Sequence, residues 1–201
     1  MMTPKQAARR MRIEAAAYEV LSEAGYNSAS LLSIAKRANA SNETLYNWYG
    51  NKQGLFRTLV ESNAREATEL LRRAIEEDAE PVEALEALGP VLLALVTGER
   101  AIMLNRAAAG DVSDTGTLGQ SIAAAGRDTI APLVRNLLRR AQESNQIECN
   151  DIGQAADTYF ALLIGDLQIR RAIGVLPPLT QAEIADRAER AFKQFVELFS
   201  P

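Results

Sequence analysis

The chain contains no histidine. Without one there is no Ser-His-Asp triad, no Cys-His pair and no histidine-based zinc site. Carboxylate, lysine or tyrosine chemistry is what remains for an enzyme. The carboxylates are spread along helical faces as solvated surface, and no Gly-rich phosphate loop is present. The sequence therefore predicts no catalytic residue, no metal and no cofactor. A single cysteine, Cys149, excludes an intramolecular disulfide framework. No apolar run approaches the roughly 20 residues of a membrane span. The basic start, Met1 to Arg12, leads into Ile13-Glu14-Ala15 rather than an apolar signal core, so a cytoplasmic protein without membrane contact is expected. Aromatics make up only 5% of the chain and alternating β-branched runs are missing, which argues against sheet.

What is present is helical and unevenly charged. Hydrophobic residues form 47% of the 201, enough to bury a core in one medium domain or two small ones. Residues 1–57 carry eight Lys and Arg against four Glu, while the remainder is acidic enough to bring the whole chain to −4. A small basic head on an acidic body suits a head that meets phosphate. Helices are expected over Lys5–Ala24, with Ala8, Met11, Ala15, Tyr18 and Leu21 as its apolar stripe and Gly25 as its end, then Leu31–Ala38, Asn42–Tyr49 and a long helix from Lys52 to Asp78. Further on, Pro81–Thr97 is interrupted at Gly89-Pro90. Glu99–Ala109 follows, then a loop over 110–114, Thr115–Asn145 bent near Pro132, Asp151–Ile173 and Thr180–Phe199. The class is all-α with about nine helices.

The segment Ser30 to Phe56, SLLSIAKRANASNETLYNWYGNKQGLF, holds the functional signal. Two helices of about eight residues joined by a three-residue turn make a helix-turn-helix. Ser30 and Ser41 are good N-caps. Ala35 is small enough for a close helix crossing. Asn39 suits a turn position that needs positive φ. With Leu45 and Tyr49 facing the core, Asn42, Glu43, Thr44, Tyr46, Asn47 and Trp48 are left outside it. Asn can pair with adenine, Glu can accept from cytosine and Thr can touch a thymine methyl, while Tyr46 and Thr44 can equally donate to phosphate. Lys52, at the start of the next helix, is a candidate phosphate clamp. The DNA-binding set is thus Ser30, Ser41, Asn42, Glu43, Thr44, Tyr46, Asn47, Trp48 and Lys52.

The run TLYNWYGNKQGLF with upstream IAKRANAS, and EAAAYEVLSEAGY before it, resembles the tetracycline-repressor-like (TetR) regulators over residues 8 to 57. The family's usual Gly-Val in the turn is replaced by Asn39-Ala40, and Leu32 stands where a polar residue is common. The stretches LGPVLLALVTGERAIMLNRAAAGD and AAAGRDTIAPLV resemble the AefR-like C-terminal domain. The resemblance implies a helix-turn-helix head over 1–51 and a helical effector-binding and dimerisation domain over 52–201. It also implies a homodimer that sets two recognition helices in successive major grooves of a palindromic operator. A ligand in the C-terminal domain would tilt the long helix after Lys52 and release the DNA.

Two adjacent apolar stripes, on Asp151–Ile173 and on the last helix, suit a four-helix dimer interface through Tyr159, Phe160, Leu163, Ile164, Leu167, Ala188, Phe192 and Phe195. An effector pocket between the central helices has Leu92, Val96, Met103, Leu104, Ile122 and Ile130 as candidate walls, with Arg106 and Arg127 able to meet a polar or anionic small molecule. A helical enzyme or carrier, and a protein-interaction module using the exposed aromatics, are the competing readings. The first is disfavoured by the missing histidines, and the second predicts no salt-dependent duplex binding.

Overall fold

The computed structural model describes residues 3–112 and 115–201, with every side chain among them except that of Arg127. All the regular structure among these residues is helical, in two compact units: residues 1–62 with 103–122, and residues 63–102 with 123–201. The first unit is thus larger than a 1–51 head. It reaches eleven residues into the long helix and takes in a later segment, 103–122.

In the first unit, α1 (Pro4–Ser28) starts at Thr3, whose side chain and that of Gln6 cap each other's backbone, with Pro4 in the first turn. Its buried face is Ile13, Ala16, Ala17, Val20 and Leu21, a spacing of three and four. The expected stripe holds at Tyr18 and Leu21, both buried, and fails at its start. Met11 is 71% exposed, and Ala8 and Ala15 also face solvent. Gly25 (φ 73°) interrupts the helix as expected, but one more turn follows and buries Tyr26 edge-on against Phe56.

Helix α2 (Leu31–Arg37) buries Leu31, Ile34 and Ala35, and α3 (Asn42–Tyr49) buries Leu45 completely. Between them Asn39 adopts φ 49°, the left-handed conformation that its short polar side chain tolerates. Helix α4 (Lys52–Glu76) gives Leu55, Phe56, Leu59 and Val60 to this core and continues unbroken into the second unit. The later half of α6 (Glu99–Asp111) and most of α7 (Thr117–Ala123) complete the first unit with Leu104, Ala107, Ala108 and Leu118. The buried Asp111 carboxylate accepts from the Thr115 amide and hydroxyl and from the Leu118 amide, so it seeds α7 from the end of α6.

The second unit is built around α5 (Pro81–Thr97), which runs as one helix despite Pro90. Gly89 explains that dipeptide. A β-carbon there would lie 3.3 Å from the Ala188 methyl, so glycine lets α11 (Gln181–Leu198) cross closely. Helix α7, a π-helical stretch (Ala124–Ile130) and α8 (Ala131–Glu143) form one continuous run in which Pro132 falls in the first turn of α8. The adjustment expected at Pro132 is thus made just before it, by widening the helix to π geometry.

The expected helix 151–173 is divided at Gly165 (φ 51°) into α9 (Ile152–Ile164) and α10 (Leu167–Ala172). Arg187 of α11 donates to the Leu162 and Leu163 carbonyls and closes the end of α9. Counting the run through α8 once, this division makes ten helices among the described residues where about nine were expected. The core of the unit includes Leu85, Leu88, Leu92, Val134, Leu138, Tyr159, Leu163, Ile184, Ala188 and Phe195. Buried Arg171 donates to the Thr97 and Leu176 carbonyls and pairs with Glu99 at 2.6 Å, fastening α10 to the end of α5.

Candidate nucleic-acid interface

Two serines punctuate the helix-turn-helix. Ser30 Oγ accepts from the Ser33 amide at 3.1 Å and Ser33 reciprocates, so α2 begins with a full capping box. Ser41 Oγ accepts from the Thr44 amide at 3.2 Å and lies 2.7 Å from the Thr44 hydroxyl. Gly50 (φ 75°) ends α3 with its N–H on the Tyr46 carbonyl, and Asn51 caps α4 through the Gly54 amide. Gly54 has a stricter reason to be glycine: a β-carbon there would sit 2.1 Å from the Tyr49 carbonyl oxygen. Arg37, held by Glu23 at 2.5 Å and Glu19 at 3.1 Å, ties α2 to α1. The Arg37 hydrogen bond holds the Glu23 carboxyl below its usual range.

Leu45 alone anchors the inner face of α3, and Tyr49 is half-buried. The Tyr49 hydroxyl has no hydrogen-bond partner among the described residues, and burial, helped by nearby Glu14, pushes its pKa up to about 12. Asn42, Glu43, Tyr46, Asn47 and Trp48 are all exposed on the same short helix, Tyr46 at 53% and Trp48 at 38%. Thr44 is half-buried. Its hydroxyl is engaged by Ser41 and also accepts from Arg9 Nη2 of α1 at 3.0 Å, and the Arg9 guanidinium lies 5.7 Å from the Trp48 ring centre. Arg9 was not among the sequence candidates. Its partner Thr44 is 35 residues away, and no local pattern joins them.

Lys52 is half-buried and engaged. Its Nζ donates to the Tyr26 carbonyl at 3.0 Å and the Asn27 carbonyl at 3.5 Å and lies over the Tyr26 ring, so it caps the last turn of α1. Ser30 and Ser41 stand at the exposed helix starts, with their hydroxyls already used in capping.

The expected effector residues are divided between the two units. Leu92 and Ile130 are buried in the core of the second unit with Val96 packed against it, whereas Met103, Leu104, Arg106 and Ile122 belong to the first unit. Arg127's side chain lies outside the described residues. Met103 and Arg106 line a cavity of about 410 Å³ in the first unit together with Leu21, Tyr26, Asn27 and Gly110. Of the expected dimer residues, Tyr159, Leu163, Ala188 and Phe195 are buried in the chain's own core, and Tyr159 donates to the Leu85 carbonyl at 2.7 Å. Each stripe supplies the interior first, because that is where a 3.6-residue period points its broadest face. Phe160, Ile164, Leu167 and Phe192 remain half-buried at the flank of that core.

Among the described residues no cluster of three or more Cys, Asp or Glu side chains could hold a metal ion, and no single helix is long and apolar enough to cross a membrane.

Comparison with known proteins covers both units. Residues 13–59 match the model of the bacterial regulatory proteins of the tetR family, and residues 83–201 match that of the AefR-like transcriptional repressor C-terminal domain. The HTH-type transcriptional regulator UidR of Escherichia coli K12 is 27% identical over 185 residues, covering 90% of this chain and 87% of UidR. A TetR transcriptional regulator from Agrobacterium tumefaciens superposes with a TM-score of 0.73 at 25% identity, over 98% of this chain and 95% of its own. The SmeT–triclosan complex has the same fold, with a TM-score of 0.77 at 21% identity over 96% of this chain and 92% of its own.

Proposed function

Because the chain belongs to the TetR family of bacterial transcriptional regulators and carries an AefR-like repressor C-terminal domain, we propose that it is a repressor that binds a palindromic operator as a homodimer and releases it to a small-molecule effector. One observation carries the DNA-binding part. A capped eight-residue helix turns Asn42, Glu43, Tyr46, Asn47 and Trp48 outward and buries only Leu45 completely. That surface is rich in donors and acceptors of the kind base edges recognise, and it is mounted on rigid elements. Asn42 and Tyr46 are the main base and phosphate contacts in this reading, with Thr44 offering its methyl beside the engaged hydroxyl. Glu43, in the first turn, stabilises α3 through the helix dipole.

Lys52 has two protein acceptors, and an ammonium has three protons. Its third proton is the one available to a phosphate. The half-buried apolar flank of α9, α10 and α11, with Phe160, Ile164, Leu167 and Phe192, is the surface through which two copies pair. The SmeT structure contains triclosan, and a small-molecule effector is proposed for this chain by that likeness. The test is selection of bound sequences from random duplex DNA at two salt concentrations, repeated with a panel of small molecules. The expected result is one palindromic sequence whose affinity falls steeply with salt and is lowered by at least one compound. Enrichment of no sequence at low salt would overturn the reading.

A further inference from the structure

Helix α3 carries Glu43 as its only charged residue, so the element that would enter a groove lined by phosphates has a net negative charge of its own. A cation reaches this helix from elsewhere. Arg9 projects from the second turn of α1, donates through Nη2 to Thr44 Oγ1 at 3.0 Å and sets its guanidinium 5.7 Å from the centre of the Trp48 ring. Both contacts are within the reach of such interactions. Thr44 and Trp48 are four residues apart, on one face of α3, so Arg9 spans that face along its length.

We propose that Arg9 is a positioning residue for DNA recognition. It fixes the Thr44 hydroxyl and the Trp48 ring before DNA arrives, and it supplies the positive charge that α3 lacks. The proposal rests on the DNA-binding reading above. The Thr44 hydroxyl is held from two sides, by Ser41 at 2.7 Å and by Arg9, which leaves its methyl as the group free to meet a thymine methyl. Side chains ordered in the free protein lose less entropy on binding, so the latch strengthens specific binding more than non-specific binding. A planar guanidinium can lie against an indole while one of its nitrogens reaches a hydroxyl. A lysine ammonium cannot do both.

The test uses the full chain with Arg9→Ala, Arg9→Lys and Thr44→Val. Trp48 is the only tryptophan, so its emission reports this site directly. In the free protein, Arg9→Ala is expected to shift Trp48 emission while the far-ultraviolet circular dichroism stays that of the wild type. On the selected operator its affinity should fall by about tenfold or more, with relaxed preference at one symmetric position of each half-site. Arg9→Lys should keep the salt dependence of the wild type, because the charge remains, yet show the same relaxed preference. Thr44→Val should relax the same position, and adding Arg9→Ala to it should cost less than in the wild-type background, the mark of coupled residues.

An Arg9→Ala protein with unchanged Trp48 emission, or one that selects the same base at every position, overturns the proposal. A wild-type chain that selects no sequence overturns the DNA-binding reading itself and the proposal with it.

Discussion

Gly54 and Lys52 sit in the same helical turn and act on different neighbours. At Gly54 the obstacle to any side chain is backbone, the Tyr49 carbonyl oxygen at 2.1 Å from a β-carbon, and no rotamer change can relieve it. Gly54→Ala must therefore push the start of α4 away from the end of α3. It should cost about 1–3 kcal/mol or more of stability, read as a lower melting temperature, and weaken DNA binding together with it. Lys52→Ala removes a charge-assisted hydrogen bond to Tyr26 and the contact with its ring, so a loss of about 1–3 kcal/mol is expected in thermal melting. If its third proton also meets phosphate, affinity should drop on every duplex and the salt slope should flatten by about one ion. Lower stability with an unchanged slope would make Lys52 a cap of α1 and nothing more. The residue types at Ser30, Asn39 and Ser41 were readable from the sequence because caps and turns are decided within three or four residues. Arg9 and the engagement of Lys52 were not, because their partners are 35 and 26 residues distant.

Helices differ in how far periodicity alone locates them. The short ones of the helix-turn-helix fall within a residue of their expected limits, because serine caps and Gly50 bound them chemically. The first half of the α1 stripe was misplaced, although Tyr18 and Leu21 were rightly put inside, for a reason visible in its sequence. Alanine is abundant on several faces, so Ala8 and Ala15 mimic the early part of a stripe that Ile13, Val20 and the expected Tyr18 and Leu21 define by bulk. The break between α9 and α10 was hidden because Gly165 sits inside an apolar run, and the arginine that closes α9 comes from α11. Where α6 gives way to α7, the device is the Asp111 carboxylate. Burial pushes its pKa up, but hydrogen bonds from Thr115 and Leu118 outweigh that and hold it below the ordinary value. A carboxyl with a lowered folded-state pKa stabilises the protein fully above its unfolded value, and loses that contribution as pH falls through the folded one. The wild type should therefore melt earlier as pH drops below about 4. Asp111→Asn should melt earlier than the wild type at pH 7, and the gap between the two should narrow as the pH is lowered. Parallel melting curves across that range would remove Asp111 from the account of acid stability.

At the scale of the whole molecule, the same two C-terminal helices must fill a core and, in the proposed dimer, meet a second copy. Phe195 and Phe192 lie on one helix, three residues apart, and separate the two duties. Phe195 is 1% exposed, packs edge-on against Tyr159 and belongs to the chain's own interior. Phe192 is half-buried at the flank. Phe195→Ala should thus cost about 3–5 kcal/mol wherever the protein is studied, whether or not it dimerises. Phe192→Glu removes less packing within the chain but places a carboxylate where two copies would meet. Sedimentation at micromolar concentration should show a dimer for the wild type and a folded monomer for Phe192→Glu, with a helical circular dichroism spectrum retained. That monomer should bind a single half-site weakly and lose the advantage of the palindrome, since linking two weak sites multiplies their affinities only while the link holds. A wild-type chain that sediments as a monomer would end the dimer proposal. A Phe192→Glu chain that stays dimeric would move the interface off this flank, and the exposed Ile169, Ile173 and Val175 would then be the next positions to substitute.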